Sequence, residues 1–430
     1  MRVKYSYGLI YNFSSLGLIQ VTNFLLSLIV IPHLLRKVGA DGYGVIAVAQ
    51  VVMIFLSVFT EYGFNQTATR EISLYRSDRD RVSRIFFAVL ASKLLICLLC
   101  FLLLLAMLYM IPLFYENMNL YLLAFVFVIG QSLSISWFFQ GIEKMHFIAI
   151  TGLLSRLIFA ALVFAFIQQK QDAALFLFFM GLGNVIGGLI SVWIALQFFG
   201  IKFKRPGRSD IIHEFKDGWP VLATNLSMSA CQYTGIFILR IFTNDLVVGY
   251  YGVAEKIYFA IKLMIGTFSQ AIYPRVCQLV QAGRKQTLLF FRQHYIPFFV
   301  MTVIASGILF VFSGPVLHFF ISYKHEGTSF LLRMMCIAIV IVCMNIPPFL
   351  VLLADKRKKS YLKIFLMGTV VNVVSNVVLV RFFEAKGTVF SILITELFIT
   401  TGLWWEIYRL YSHGEIEKRN FVKSLFYESK

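Results

Sequence analysis

Six ionisable side chains stand out inside otherwise apolar stretches of the chain: Glu61, Lys93, Arg156, Glu255, Lys256 and Lys262. A charge in a segment long enough to cross hydrocarbon is costly. Such residues therefore face a protein interior or a water-filled cavity, where they bind ions, relay protons or pair with one another. Positions 255 and 262 are seven apart and share a helix face, with 256 about 100° round, so the three can line one wall. Glu255 reads equally as a coupling-ion carboxylate and as the structural partner of Lys262 or another cation. Arg156 and Lys256 lie too deep to reach the surface easily and are expected to line a cavity. Lys93 is about two turns into its segment, close enough to one face to snorkel. Glu61 has no basic neighbour within its own segment. Burial favours the neutral carboxyl, which suits a group that exchanges a proton; the plainer alternative is a salt bridge to Arg70 or another loop cation. Arg240 and Asp245 read as a solvated loop pair.

The segments that must position these groups dominate the composition. Of 430 residues, 59% are hydrophobic and only 14% charged, against about 25% charged in a soluble protein. Apolar runs of about 20 residues recur throughout, the length of a helix crossing a bilayer. We expect twelve such helices, over residues 9–32, 43–64, 86–111, 120–140, 147–168, 173–199, 219–241, 247–272, 295–313, 330–353, 361–382 and 387–410. The short alternating segments of a membrane β-barrel do not dominate. Pro220, Pro297, Pro347 and Pro348 fall in or beside spans and predict kinks. The first span is too long for a signal h-region and lacks a cleavage site, so no cleavable leader is expected.

The formal net charge of +18 lies largely in alternate short loops, as the positive-inside bias requires. Both termini are therefore expected in the cytoplasm, and nucleic acid is not an expected partner. Cys97 and Cys100 form a CxxC within an unbroken apolar run, without the companion ligands of a zinc or redox site. No GxxxxGK[ST] occurs, so the chain is not expected to hydrolyse ATP, and no cofactor is expected. The outer loops are too short for a catalytic domain.

Gly39-Ala40-Asp41-Gly42-Tyr43-Gly44 is a turn signal at the mouth of the second span. Glu61-Tyr62-Gly63-Phe64-Asn65 closes that span, and a charged loop begins at Arg70 and Glu71. Tyr43-Gly44-Val45 matches Tyr251-Gly252-Val253 one half-chain later, which points to two copies of a six-span unit. Six is even, so the copies run parallel, related by a pseudo-two-fold along the membrane normal. The expected organisation is an N-terminal six-helix bundle (1–200), a basic cytoplasmic linker (201–218), a C-terminal six-helix bundle (219–412) and a cytoplasmic tail (413–430). The fold class is all-α integral membrane.

The first span (Asn12, Ser14, Ser15, Gln20, Thr22, Asn23) and the matching seventh (Thr224, Asn225, Ser227, Ser229, Gln232) are unusually polar, which favours a shared hydrophilic cavity over interhelical hydrogen bonds alone. An interior with excess Lys and Arg suits an anionic amphiphile: a phosphate or pyrophosphate meets the cations, sugars meet Asn, Ser and Tyr, and a lipid tail stays in the bilayer.

The Gly39–Gly44 turn, then Glu61-Tyr62-Gly63-Phe64-Asn65 through Ala68-Thr69-Arg70-Glu71, resembles the Wzx-type O-antigen and polysaccharide flippases of the multidrug/oligosaccharidyl-lipid/polysaccharide exporter superfamily. The likeness extends along the chain to the basic Asp355–Lys359 loop. It implies a V-shaped pair of six-helix bundles in the bacterial inner membrane. These would move undecaprenyl-pyrophosphate-linked repeat units to the periplasmic leaflet by alternating access, with ion or proton antiport. The family's sites carry over only at the span 2 motif; on the physical reading of the residues, the cavity cations Arg156, Lys256, Lys262 and Lys93 would engage cargo, and Glu61 and Glu255 are the candidates for the coupling ion. Expected partners are the lipid-linked oligosaccharide, membrane lipids, a polysaccharide polymerase and a chain-length regulator. A multidrug/cation antiporter fits the excess of basic groups less well. A membrane-embedded polymerase or ligase needs larger outer loops, and a channel or scaffold leaves the two-copy polar interior without a purpose.

Overall fold

A computed structural model describes residues 4–320, 326–355 and 357–412. Every regular element among them is helical. The chain runs through α1 (Lys4–Glu61), α2 (Phe64–Tyr75), α3 (Arg79–Met110), α4 (Pro112–Tyr115), α5 (Met118–Leu133), α6 (Ser136–Gly141), α7 (His146–Phe166) and α8 (Ala173–Phe198). It continues through α9 (Arg208–Phe242), α10 (Asp245–Ala282), α11 (Arg284–Phe290), α12 (Ile296–Val311), α13 (Ser313–Phe320), α14 (Glu326–Met344), α15 (Ile346–Ala354) and α16 (Lys358–Ser412). A single π-helical turn, Phe291–Tyr295, joins α11 to α12.

At 58 residues α1 is far too long for one pass, and it is broken at Gly39, whose φ of 81° and ψ of 170° leave the helical region. The 55-residue α16 is broken in the same way at Glu384 (φ 48°, ψ −129°). Counting both twice, and α5–α6, α11–α12 and α14–α15 once each, gives the twelve passes expected. Eight helical stretches among the described residues are long and apolar enough to cross a membrane, α16 supplying one of 51 residues. The helices α9 and α10 have the length but carry more polar and charged side chains.

The chain divides into two compact units, Met1–Tyr233 and Thr234–Lys430. In the first, α8 packs closely on α5 and α7 through glycines. A Cβ on Gly181 would lie 2.3 Å from the Phe127 nitrogen, and one on Gly183 2.4 Å from the Ser155 carbonyl oxygen. Small residues let membrane helices approach where no hydrophobic effect drives them together. The Glu61-Tyr62-Gly63 stretch is a left-handed corner, with φ 45° at Tyr62 and 90° at Gly63. It is pressed against α9: a Gly63 Cβ would sit 2.6 Å from Val221 Cβ, and a Gly218 Cβ 2.7 Å from the Tyr62 carbonyl oxygen.

In the second unit the two limbs of α16 fold back on each other. Gly368 meets Ile399 and Gly402 meets Ile364, while Asn372 Nδ2 donates to Thr395 Oγ1 (3.1 Å) and the Ser375 and Ser391 hydroxyls pair at 2.7 Å. Outward faces are apolar. On α3, Leu94, Leu95, Leu98, Leu99, Leu102 and Leu103 are exposed while Lys93, Ile96, Cys97 and Cys100 are buried. That pattern suits helices solvated by lipid on one side and protein on the other.

Candidate functional site

The helix α10 carries three of the six charges. Its start is set locally: Asn244 Oδ1 accepts the Val247 N–H at 3.0 Å, and Asp245 lies in the first turn, where the helix dipole favours an acid. Arg240 Nε, at the end of α9, holds Asp245 Oδ1 at 2.6 Å. This is the pair read from sequence, but both members are mostly covered, so it fixes the α9–α10 corner.

Glu255 is 3% exposed. Its carboxylate receives a hydrogen bond from the Tyr251 hydroxyl one turn earlier and feels the Lys256 charge beside it. The Tyr251 oxygen, Asn376 Nδ2 and Thr388 Cγ2 crowd the same spot on α9, lying 3.6, 3.2 and 3.2 Å from where a Gly235 Cβ would be. Asn376 and Thr388 are buried, and neither the carboxamide nor the hydroxyl has a hydrogen-bond partner among the described residues. The Glu255 carboxylate bonded to the Tyr251 phenol, with the Asn376 amide and the Thr388 side chain near that phenol, supplies oxygen groups of the kind that suit a hard cation or a proton.

Lys262, two turns further along α10, pairs with Glu396 on the last limb of α16: Nζ to Oε1 is 2.8 Å. The Tyr258 ring centroid lies 5.5 Å from the same ammonium. The other carboxylate oxygen, Oε2, faces Asn345 Nδ2 at 3.4 Å, and Asn345 Oδ1 accepts the Thr400 hydroxyl at 2.6 Å.

Asn345 sits at the junction between α14 and α15. Pro347 and Pro348 lack the N–H groups that would bond to the Cys343 and Met344 carbonyls, so both oxygens lose their helical donors. Side chains replace them. The Tyr295 hydroxyl donates to Cys343 O (3.1 Å) and the Trp404 indole N–H to Met344 O (3.2 Å). The kink expected from the prolines is thus a break satisfied from two other helices.

The first unit holds Glu61, Lys93 and Arg156. Lys93 is 2% exposed, and its ammonium donates to the Gln131 and Ser134 carbonyls at 3.0 and 2.9 Å. These carbonyls lie at the end of α5, where the chain turns extended before α6. A cation at a helix C-terminus meets unpaired carbonyls and the negative end of the dipole together. Lys93 is therefore fully engaged with protein backbone and does not snorkel. Glu61 forms no ion pair with Arg70 or any other cation among the described residues, but its charge is felt at Lys93. Arg156 is half-buried on α7. The polar side chains of the first span, Asn12 to Asn23, and the tail 413–430 lie outside the described residues.

Sequence reading missed Glu396. The signal was available, an acid inside an apolar run of the last span, but its partner Lys262 is 134 positions away.

The model of the family described as polysaccharide biosynthesis protein matches residues 9–280. A protein of Escherichia coli (strain K12) named "Putative O-antigen transporter" is 26% identical over 392 residues, covering 91% of this chain and 94% of its own. Its namesake in Shigella dysenteriae is 26% identical over 391 residues, covering 90% and 97%. Among solved structures, the lipid II flippase MurJ in an inward closed conformation superposes with a TM-score of 0.71 at 13% identity, covering 96% of this chain and 91% of that one. An inward-facing multidrug resistance MATE family transporter of the MOP superfamily gives 0.67 at 15% identity, covering 90% and 95%. At these identities the likeness to the two structures establishes a shared fold.

Proposed function

This chain belongs to the polysaccharide biosynthesis protein family, and from that premise we propose that it is a flippase for lipid-linked oligosaccharides. Its cargo is an undecaprenyl-pyrophosphate-linked repeat unit of O-antigen or a related polysaccharide, carried from the cytoplasmic to the periplasmic leaflet of the inner membrane by alternating access. The observation that carries the reading is Lys262, a partly open ammonium inside a membrane-length helix, held by a buried carboxylate. A pyrophosphate is the natural competitor for such a cation. Lys256, on the same helix, is proposed to extend this anion-binding surface, and Arg156 is proposed as a cargo-binding cation of the first unit. Lys93, occupied by the end of α5, would contribute positive field.

Glu255 is the proposed coupling-ion residue of the second unit, with Asn376 and Thr388, unpartnered among the described residues, near its Tyr251 partner, and Glu61 that of the first. Both termini are placed in the cytoplasm on the distribution of Lys and Arg. A six-plus-six arrangement joined through 201–218 accompanies this reading, as does delivery to a polysaccharide polymerase and chain-length regulator. The protein transports its cargo and makes no covalent change to it.

The test is deletion of the gene in its host. Single, unpolymerised lipid-linked units should accumulate facing the cytoplasm, surface polysaccharide should disappear, and the wild-type chain should restore it. Single units reaching the periplasm without polymer would make the protein a polymerase instead.

A further inference from the structure

Lys262 and Glu396 are unequally placed: the lysine side chain is 38% exposed and the glutamate only 10%. An arriving anion therefore meets the ammonium, while the carboxylate lies behind it against the protein. Glu396 is also divided between two tasks. Oε1 holds Lys262, and Oε2 makes a long 3.4 Å contact with Asn345 Nδ2, at the proline break of α14–α15.

We propose that Glu396 is a built-in stand-in for the phosphate of the cargo at Lys262, and that exchange of carboxylate for phosphate is passed to the break in α14–α15 through Asn345. This rests on the flippase reading and names the residue that makes cargo binding felt by the helices. When a phosphate takes Lys262, Glu396 is left as a buried carboxylate without its cation, a strongly disfavoured state. The nearest donor is the Asn345 carboxamide, already oriented by Thr400 at 2.6 Å. Closing the 3.4 Å contact pulls on the one residue between the two helical pieces. The Tyr258 ring, beside the ammonium, keeps Lys262 in place while its partner changes. Glu396 is thus a positioning residue: it touches no cargo and acts through Lys262 and Asn345.

The experiment uses the purified full chain in lipid nanodiscs and geranylgeranyl pyrophosphate as probe, with geranylgeraniol as the uncharged control. Wild type should prefer the pyrophosphate. Glu396→Gln removes the competing charge but keeps a polar group facing Asn345, so pyrophosphate affinity should rise about tenfold with the alcohol unaffected. Transport in cells should nevertheless fall, because binding no longer drives the exchange. Lys262→Met should cut the preference for pyrophosphate at least about tenfold and remove any further effect of Glu396→Gln. Glu396→Asp, which keeps the charge but shortens its reach, should tighten binding by a smaller factor and serves if the Gln variant does not fold. If wild type prefers the pyrophosphate and neither Glu396 variant tightens it, the stand-in is overturned and the flippase reading survives. If wild type shows no preference, the flippase reading fails and takes this proposal with it.

Discussion

Trp404 donates its indole N–H to the Met344 carbonyl, the very oxygen that Pro348 leaves without a helical donor. Tyr295 does the same for Cys343 and Pro347. Removing either donor leaves a carbonyl stranded where water is scarce, at a cost of about 1–3 kcal/mol. Tyr295→Phe keeps the ring and loses only the hydroxyl. It should lower the melting temperature of the purified protein, whereas Tyr295→Phe in a Pro347→Ala background, where an N–H is restored, should cost much less. Equal losses in both backgrounds would show that the bond does not serve the break.

Lys93 fills the corresponding place in the first unit, bonding the carbonyls that end α5. Ser134 O has no other donor among the described residues, while Gln131 O also receives the Ser134 N–H. Lys93→Met should therefore destabilise by about 2 kcal/mol and lower the amount of protein in the membrane. Transport per molecule should stay near normal. A stable variant with transport abolished would make Lys93 a cargo contact instead.

Arg156 and Lys256 should behave in the opposite way. Arg156→Ala and Lys256→Ala are expected to reduce transport per molecule at least about tenfold, each removing a charge-assisted contact to phosphate. Intact transport in both would leave the anion-binding role to Lys262 alone. Surface polysaccharide and protein abundance, measured side by side, separate these outcomes.

Two glycines give a controlled comparison. Gly63 needs a left-handed backbone (φ 90°) and has Val221 Cβ 2.6 Å from where its own Cβ would stand. Gly63→Ala should cost about 3 kcal/mol or more from strain and overlap together. Gly266, inside α10 with nothing within 4 Å, should tolerate alanine or gain up to about 1 kcal/mol. Thermal denaturation of the two variants is the check.

Much of this was legible in the sequence because it is written in local pattern. The twelve passes follow from apolar length. The corners at Gly39 and Gly63 follow from glycines placed where an apolar run must end or turn, and the break near Asn345 from two prolines in a row. What was not legible depends on distant partners. Glu396 is a single acid close in sequence to Ile394, Leu397 and Phe398, and only folding brings Lys262 to it. Lys93 looked able to reach the surface because depth along a helix can be counted but facing cannot. Its aspect toward α5, opposite the exposed leucines of α3, is decided by packing. The corner at Glu384, by contrast, falls in the gap expected between the spans 361–382 and 387–410, where Glu384, Lys386 and Gly387 interrupt the apolar run.

The π-turn Phe291–Tyr295 has its own bearing on Tyr295. A π-turn holds one residue more than the helix around it requires, and a residue more or less rotates everything beyond it by about 100°. Tyr295 closes that turn, so the surplus residue sets the direction in which its hydroxyl reaches Cys343. Deleting Gln293, an exposed member of the turn, would leave the sequence of contacts on α12 unchanged in type but swing them out of phase with α14. A frame one residue shorter would spell the same helix and address it to the wrong neighbour.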